Sequence, residues 1–564
     1  MRTSAKSLFR NTISQLPNLE SMFTSELPPL EHPTVVVDLL YYLHMPPPAD
    51  INTFEQHVNY LWSVCVESHR RKLNPDCIYI VIDKPKYLPP PREMVHTYRS
   101  DRTNDLNSAQ PVGSTLPIPH GTEYSASLCI QEFKADIVEF VTTRFILMAQ
   151  KTHTNIVIDS PAVGNPLYIS DSTISNLRPN QHGEADYAIW HHTIHCQSKN
   201  CLVVASDTDV WVYGLGLWEA GWLSNKLVIV QRGNSGEYVN INLAARLLQD
   251  FAPLQKVPYP VSTMVALYVL SGCDYVSSFF KHTKQNFLEC FFSNIQFVLN
   301  NNSLITFVED GNGHTVFESV STEHWLHLVC SVYLDKHSSL YSGQTLERFR
   351  DSFIAPPLSD ECERLLGWVG LGDKECLTTT SDWCHFVRAI SFHKETAKKD
   401  FEANIMPSME ALKRHKQRAE YVLHMVYSAP FSLCTQLACF RSYGWTVDEE
   451  GKVMVDWDDD ETISYLTGSD KGCSCKKSNC TSRCKCARDK KPCTIRCGCK
   501  DNCMNPYNNN SSQSKGPAPI LEDDHQDEDN DSSNSDSSDM EQLLVEGEVQ
   551  YNSDEYDLET LIPF

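Results

Sequence analysis

At 564 residues and 41% apolar composition, the chain is long enough for two or three domains with substantial cores. It has no apolar run of about 18 residues or more, and Met1-Arg2-Thr3-Ser4-Ala5-Lys6 has no signal-peptide core, so a soluble intracellular protein with no membrane partner is expected. The net charge of −24 is unevenly spread: 16 Asp or Glu and no Lys or Arg fall between Gly516 and Phe564, whereas Lys471 to Cys503 holds ten Lys or Arg against two acids. A basic module beside an acidic tail is a charge asymmetry common in proteins that touch nucleic acid.

Residues 1–32 are polar with little periodicity and read as a loose leader. From 33 to 290, short β-branched runs alternate with helix-like ones, which predicts an α/β domain built on an open parallel sheet with helices on both faces. Thr34-Val35-Val36-Val37 leads into Asp38, Cys77-Ile78-Tyr79-Ile80-Val81-Ile82 into Asp83, and Cys201-Leu202-Val203-Val204-Ala205-Ser206 into Asp207. Helices are expected over 54–69, 127–150, 184–196 and 261–270. The Pro-, Arg- and Ser-rich segment 84–117 suggests a long loop or arch near the acidic edge. Asp159, followed by Ser160-Pro161, reads as a turn-capping acid. His191 and His195 have the i,i+4 spacing of zinc ligands, but no third ligand is identifiable and packing is the expected role.

Seven carboxylates stand out in this first half: Asp38, Asp83, Glu184, Asp186, Asp207, Asp209 and Asp274. In an open α/β sheet the ligand site lies beyond the carboxyl ends of the strands. Acids gathered there repel unless a hard cation neutralises them, and oxygen-only ligands select Mg²⁺ or Mn²⁺. Asp207-Thr208-Asp209 in extended backbone would send both acids to one side. Glu184-Ala185-Asp186 would open a helix, where acids favour the positive end of the macrodipole.

The order and context of these acids resemble the flap-endonuclease type of PIN-like nuclease. That family has an Asp after each of the first two strands, a Glu-Ala-Glu at a helix start, an Asp-x-Asp after a strand and a closing Gly-Cys-Asp-Tyr. Here the matching residues are Asp38, Asp83, Glu184-Ala185-Asp186, Asp207-Thr208-Asp209 and Gly272-Cys273-Asp274-Tyr275. The Glu-Ala-Asp, Asp-Thr-Asp-Val and Gly-Cys-Asp segments are also similar to those of a diffuse group of uncharacterised, mobile-element-associated invertebrate proteins. The resemblance covers about 34–290 and implies two-metal phosphodiester hydrolysis, the seven acids being direct or water-mediated ligands to two Mg²⁺ or Mn²⁺ ions. It matches Arg92 and Arg99 to basic positions that meet the phosphate, with Lys84, Lys86 and Arg102 in the same segment. The chain departs from the family after Asp274, where the glycines of the family's duplex-gripping helix-turn-helix are missing, although Lys281 and Lys284 are present. Asp186 and Lys84 also replace a Glu and a Gly.

Residues 291–465 read as mainly helical with no assigned role, including 400–426, followed by a small hairpin over 444–457 turning at Glu449-Glu450-Gly451. A module at 471–506 then carries Cys473, Cys475, Cys480, Cys484, Cys486, Cys493, Cys497, Cys499 and Cys503, nine cysteines in 31 residues. Too few apolar residues are left for a core, so metal must supply the folding energy. Nine thiolates satisfy three tetrahedral Zn²⁺ ions if three of them bridge. The opening Cys473-Ser474-Cys475-Lys476-Lys477-Ser478-Asn479-Cys480 and the ending Cys503-Met504-Asn505-Pro506 resemble the tesmin-type CXC domain. That likeness implies zinc-dependent DNA binding, with Lys476, Lys477, Arg483 and Lys485 as candidate phosphate contacts. The tail, 507–564, lacks the apolar content to fold.

The sequence thus predicts a metal-dependent nuclease acting on DNA, without excluding RNA, and a nuclear location follows from DNA binding. The competing expectation is a non-catalytic DNA-binding or chromatin protein that uses the nuclease fold as a scaffold. Protein partners are not legible.

Overall fold

The computed structural model describes residues 6–92, 110–170, 173–233, 236–311, 314–335, 377, 379–395, 405–432, 440–457, 473, 475, 480, 484–488, 490 and 504–507. Arg99, Arg102, Lys476, Lys477, Arg483, Cys493, Cys497, Cys499, Cys503 and all but the first residue of the 507–564 tail lie outside them.

The centre is a nine-stranded sheet in the order β1-β9-β8-β7-β2-β3-β4-β5-β6. Its strands are β1 (Phe23–Thr24), β2 (Thr34–Asp38), β3 (Cys77–Val81), β4 (Ile156–Asp159), β5 (Leu167–Ser170), β6 (Thr173–Asn176), β7 (Asn200–Ala205), β8 (Leu227–Arg232) and β9 (Glu237–Asn240). The run β8-β7-β2-β3-β4 is parallel, with Thr34 opposite Cys77 on one side and Cys201 on the other. The outer strands are antiparallel, so the sheet is mixed rather than wholly parallel. Connection length is the reason. Only 160–166 links β4 to β5 and 233–236 links β8 to β9, while a parallel return needs a crossover of about a dozen residues or more.

Helices cover both faces. α1 (Lys6–Gln15) precedes the sheet; α2 (Leu39–Leu43), α3 (Phe54–Trp62), α4 (Ser68–Leu73), α5 (Gly121–Ser127) and α6 (Gln131–Thr152) follow in the first half. A π-turn, Ser63–Glu67, joins α3 to α4, making one nearly continuous helix where 54–69 was expected. α7 (Ala185–His195), α8 (Thr208–Glu219), α9 (Ile241–Asp250), α10 (Pro260–Leu270) and α11 (Lys284–Ser293) complete the sheet region. Strand pleating divides the core: Val35 and Val37 enter the layer under α2–α6, and Val36 enters the opposite layer with α1 and α7–α11.

One boundary differs from the sequence reading. Residues 6–24 are not a loose leader, since Phe9, Ile13, Leu19 and Met22 are buried and β1 pairs with β9. Phe9 packs edge-on against Tyr268, and Arg10 pairs with Glu237 while lying over the Phe23 ring. The region after 290 packs on the same core. α12 (Ile295–Leu299), α13 (Thr322–Asp335), α14 (Thr380–Glu395) and α15 (Met409–Ser428) share the layer of α7–α11. Trp325 donates to Leu412 O (3.0 Å), and His415 lies 2.8 Å from Leu270 O. The region also holds a hairpin, β10 (Ile305–Glu309) with β11 (Thr315–Val320), between its helices. The expected second hairpin forms from β12 (Trp445–Val447) and β13 (Val453–Val455). Among the described residues no helix is long and apolar enough to cross a membrane.

Replacing Phe9 with Ala should lower stability by about 3 kcal/mol, because a fully buried ring is lost from a packed layer. Denaturant unfolding of the full chain measures this; a loss below about 0.5 kcal/mol would mean that α1 is not part of the core.

Candidate active site

The parallel strands deliver acids to one edge. Asp38 ends β2 and caps α2, accepting from Leu40 N at 3.0 Å. Asp83, two residues beyond β3, accepts from Ala185 N at 2.8 Å and so ties that strand to the start of α7. Glu184 is the N-cap residue of α7, and Asp186 lies in its first turn. Asp207 follows β7 and caps α8 by accepting from Asp209 N at 3.1 Å. Asp207 is extended but α8 begins at Thr208, so the Asp207-Thr208-Asp209 stretch is a helix start and not a continuous strand. Both acids still face the pocket: oxygens of Asp186, Asp207 and Asp209 come within 4.8 Å of one another. Asp274 follows the glycine turn after α10, where Gly272 has φ +114° and a Cβ would meet Ser278 Cα at 2.9 Å.

Burial and mutual repulsion hold most of these carboxyls well above their ordinary range. Burial, then Asp83, pushes Asp38 up to about 7. Glu184 also rises to about 7, with burial dominant over the opposing pull of Arg92. Asp186 and Asp209 are raised too, first by burial and then by Asp207. Tyr268 donates its hydroxyl to Asp209, and Tyr275 donates to Glu184.

Among the described residues, two cations enter the cluster. Arg92 Nη1 lies 2.8 Å from Asp274 Oδ2, Nε lies 3.5 Å from Glu184 Oε1, and the guanidinium stands over the Tyr275 ring. The other is Lys6, which the sequence reading missed because it placed residues 1–32 outside the fold. Its Nζ reaches Asp207 at 2.7 Å and Asp209 at 2.9 Å.

Lys84, Lys86 and Lys284, among the described residues, make other contacts. Lys84 is buried and donates to Asp159 (2.8 Å) and Asn180 O (2.6 Å). Asp159 is consequently the centre of a buried polar network rather than a turn cap, since Asn180 Nδ2 donates to it and His192 Nε2 lies 2.9 Å away. Its carboxyl is held low by His192 and Lys84 against the cost of burial. Lys284 is likewise buried, donating to Tyr268 O and Gly272 O, which leaves it unable to reach a duplex. Lys86 lies over the Tyr87 ring. The histidines of α7 pack against carbonyls: His191 Nδ1 lies 3.1 Å from Ala429 O, and His195 Nε2 lies 2.7 Å from Pro430 O.

In the cysteine module, sulfurs of Cys473, Cys475, Cys480 and Cys484 come within 4.8 Å of one another. Four thiols so placed match one tetrahedral Zn²⁺ site. Cys486 packs beside them, and Lys485 opens the short helix Lys485–Arg488. No protein-family model matches this chain, and no curated protein matches it.

An acid with a raised folded-state pKa binds its proton more tightly when native, so stability is lost as pH rises through that value. Asp38 therefore contributes stability that is lost as pH rises from about 4 to about 7 in protein freed of Mg²⁺ and Mn²⁺. His182, His191 and His415, held low mainly by burial, act in the opposite direction in the acid part of that range, so wild type is compared with a variant that keeps them. Calorimetry on wild type and Asp38→Asn checks this: the wild-type midpoint minus that of the variant should fall as pH rises from about 5 to about 7.5, and a constant difference would contradict it.

Proposed function

We propose that this protein is a Mg²⁺- or Mn²⁺-dependent phosphodiesterase acting on DNA, with a PIN-like nuclease site and a CXC-type zinc module for DNA binding. The observation that carries this reading is the convergence of seven carboxylates from separate segments on one sheet edge, with Asp186, Asp207 and Asp209 near enough to share an ion. Burying like charges together is destabilising unless cations compensate them. Hard oxygen donors fit Mg²⁺ or Mn²⁺, and the four described thiols fit Zn²⁺.

Asp186, Asp207, Asp209 and Asp274 would hold one divalent ion, and Asp38, Asp83 and Glu184 a second. Bound there, such ions supply Lewis-acid charge and lower the pKa of water. Asp83 and Glu184 are kept in place by the Ala185 N–H and the Tyr275 hydroxyl. Arg92, held between Glu184 and Asp274, offers N–H donors toward the excess negative charge of a phosphodiester as its bond breaks. Burial of Lys284 and the absence of the clamp glycines favour single-stranded or branched substrates over a gripped duplex. DNA affinity then comes mainly from the basic cysteine module, with Lys476, Lys477, Arg483 and Lys485 on phosphates. A nuclear location follows from this reading.

A second reading, a non-catalytic DNA-binding scaffold, draws on Lys6 and Arg92, which already neutralise part of the acidic cluster. Cleavage of labelled single-stranded, flapped and duplex DNA, and of RNA, with Mn²⁺ separates the two. Asp207→Asn/Asp209→Asn should lower the rate at least about 100-fold. If wild type cuts no substrate above that variant, the scaffold reading takes over. Independently, elemental analysis should find zinc near three per chain, reduced in Cys480→Ser/Cys497→Ser together with DNA affinity at low salt. A zinc-free wild type would remove the module from the argument.

A further inference from the structure

Lys6 occupies a point of the acidic pocket from which three carboxylates are reached at once. Its Nζ lies 2.7 Å from Asp207 Oδ2, 2.9 Å from Asp209 Oδ2 and 3.6 Å from Asp274 Oδ1. Asp207 and Asp209 also belong, with Asp186, to the group whose oxygens lie within 4.8 Å of one another. An ammonium has three N–H donors and no acceptor. Aimed at these acids, it uses the oxygens that a divalent ion would use. The ammonium and a divalent ion cannot occupy that point together, because both would fill the same space and draw on the same carboxylate oxygens.

The backbone carrying the ammonium is firmly held. Phe9 and Ile13 on the same helix are buried, and Phe9 meets Tyr268 with ring centroids 4.8 Å apart. Arg10, four residues on, is paired with Glu237. Lys6 itself begins α1, and its side chain is 21% exposed, so the flexible stem has an open side while the helix stays docked. A fixed anchor with a movable charged end is the arrangement of a tethered competitor.

We propose that Lys6 is a built-in counter-cation of the metal site. Its ammonium holds Asp207, Asp209 and Asp274 together until a divalent ion displaces it, and so sets the metal concentration at which the site loads. The inference rests on the divalent-metal reading of the pocket and specifies how that site is regulated. A ligand whose receptive state is only fractionally populated has its apparent affinity reduced by that fraction. With Lys6 inserted about nine-tenths of the time, the effect is about tenfold.

Titration of the full chain with Mn²⁺, followed by calorimetry and by the paramagnetic resonance of free Mn²⁺, tests this in wild type, Lys6→Gln and Asp207→Asn/Asp209→Asn. Lys6→Gln should bind Mn²⁺ about tenfold more tightly than wild type, and Asp207→Asn/Asp209→Asn should lose that binding. Equal or weaker binding by Lys6→Gln overturns the proposal while the metal reading stands. Absence of Mn²⁺ binding in wild type and Lys6→Gln overturns both. A second measurement needs no folded variant: amine acylation of Lys6 in wild type, read by peptide mass spectrometry. Reactivity should rise several-fold on adding Mn²⁺, and an unchanged rate in protein shown to bind Mn²⁺ overturns the proposal.

Discussion

Mutual repulsion among buried carboxylates is the constraint around which this molecule is arranged. Parallel strands end in register, so any acid placed after β2, β3 or β7 arrives at the same edge. Short turns at Glu184 and Gly272 bring in the remainder. Five of the seven acids are given a hydrogen-bond donor that offsets desolvation: a helix N-terminus for Asp38 and Asp207, a backbone N–H for Asp83, a tyrosine hydroxyl for Glu184 and Asp209. These offsets leave a large surplus of negative potential, which Arg92 and Lys6 reduce without cancelling.

The same physics explains why Asp159 differs from its neighbours. It stands at the end of β4, one strand further out, and is fully engaged by Lys84, Asn180 and His192. A carboxylate paired in that way has both oxygens engaged and its charge matched by Lys84, and it serves to brace the loop before Glu184. Lys84 N also donates to Gly183 O (2.6 Å), and a Cβ at Gly183 would collide with the Tyr87 backbone. Position in the sheet thus separates a bracing acid from pocket acids that look alike along the chain.

Much of this arrangement was legible in the sequence because apolar runs and the acids ending them are local patterns. The β2, β3 and β7 strands, helices α7 and α10, and the hairpin at Trp445 follow directly from such runs. What escaped detection depends on contacts distant in the chain. Lys6 meets acids some 200 positions away, and its helix was hidden in a polar segment, although Phe9, Ile13 and Leu16 do form an i, i+4, i+7 stripe. Lys84 and Lys284 have the composition of surface cations; only the fold reveals that carbonyl oxygens and Asp159 enclose them. The antiparallel edges were set by loop length, a signal that was present but weighed less than the β-branched runs. Arg92, matched through a family likeness, does lie against Glu184 and Asp274.

The histidines against residues 429–431 have a wider consequence. His182 Nε2 lies 2.8 Å from Phe431 O, His191 and His195 address Ala429 and Pro430, and Gln181 N donates to Ser432 O. These bonds fasten the segment after α15 to the loop that immediately precedes Glu184 and to α7. The half of the chain that carries the acids is therefore not an excisable cassette. A fragment ending near 290 would bare the flank of α10 and take away the carbonyl acceptors of three imidazoles, so the later half completes the fold that holds the acids.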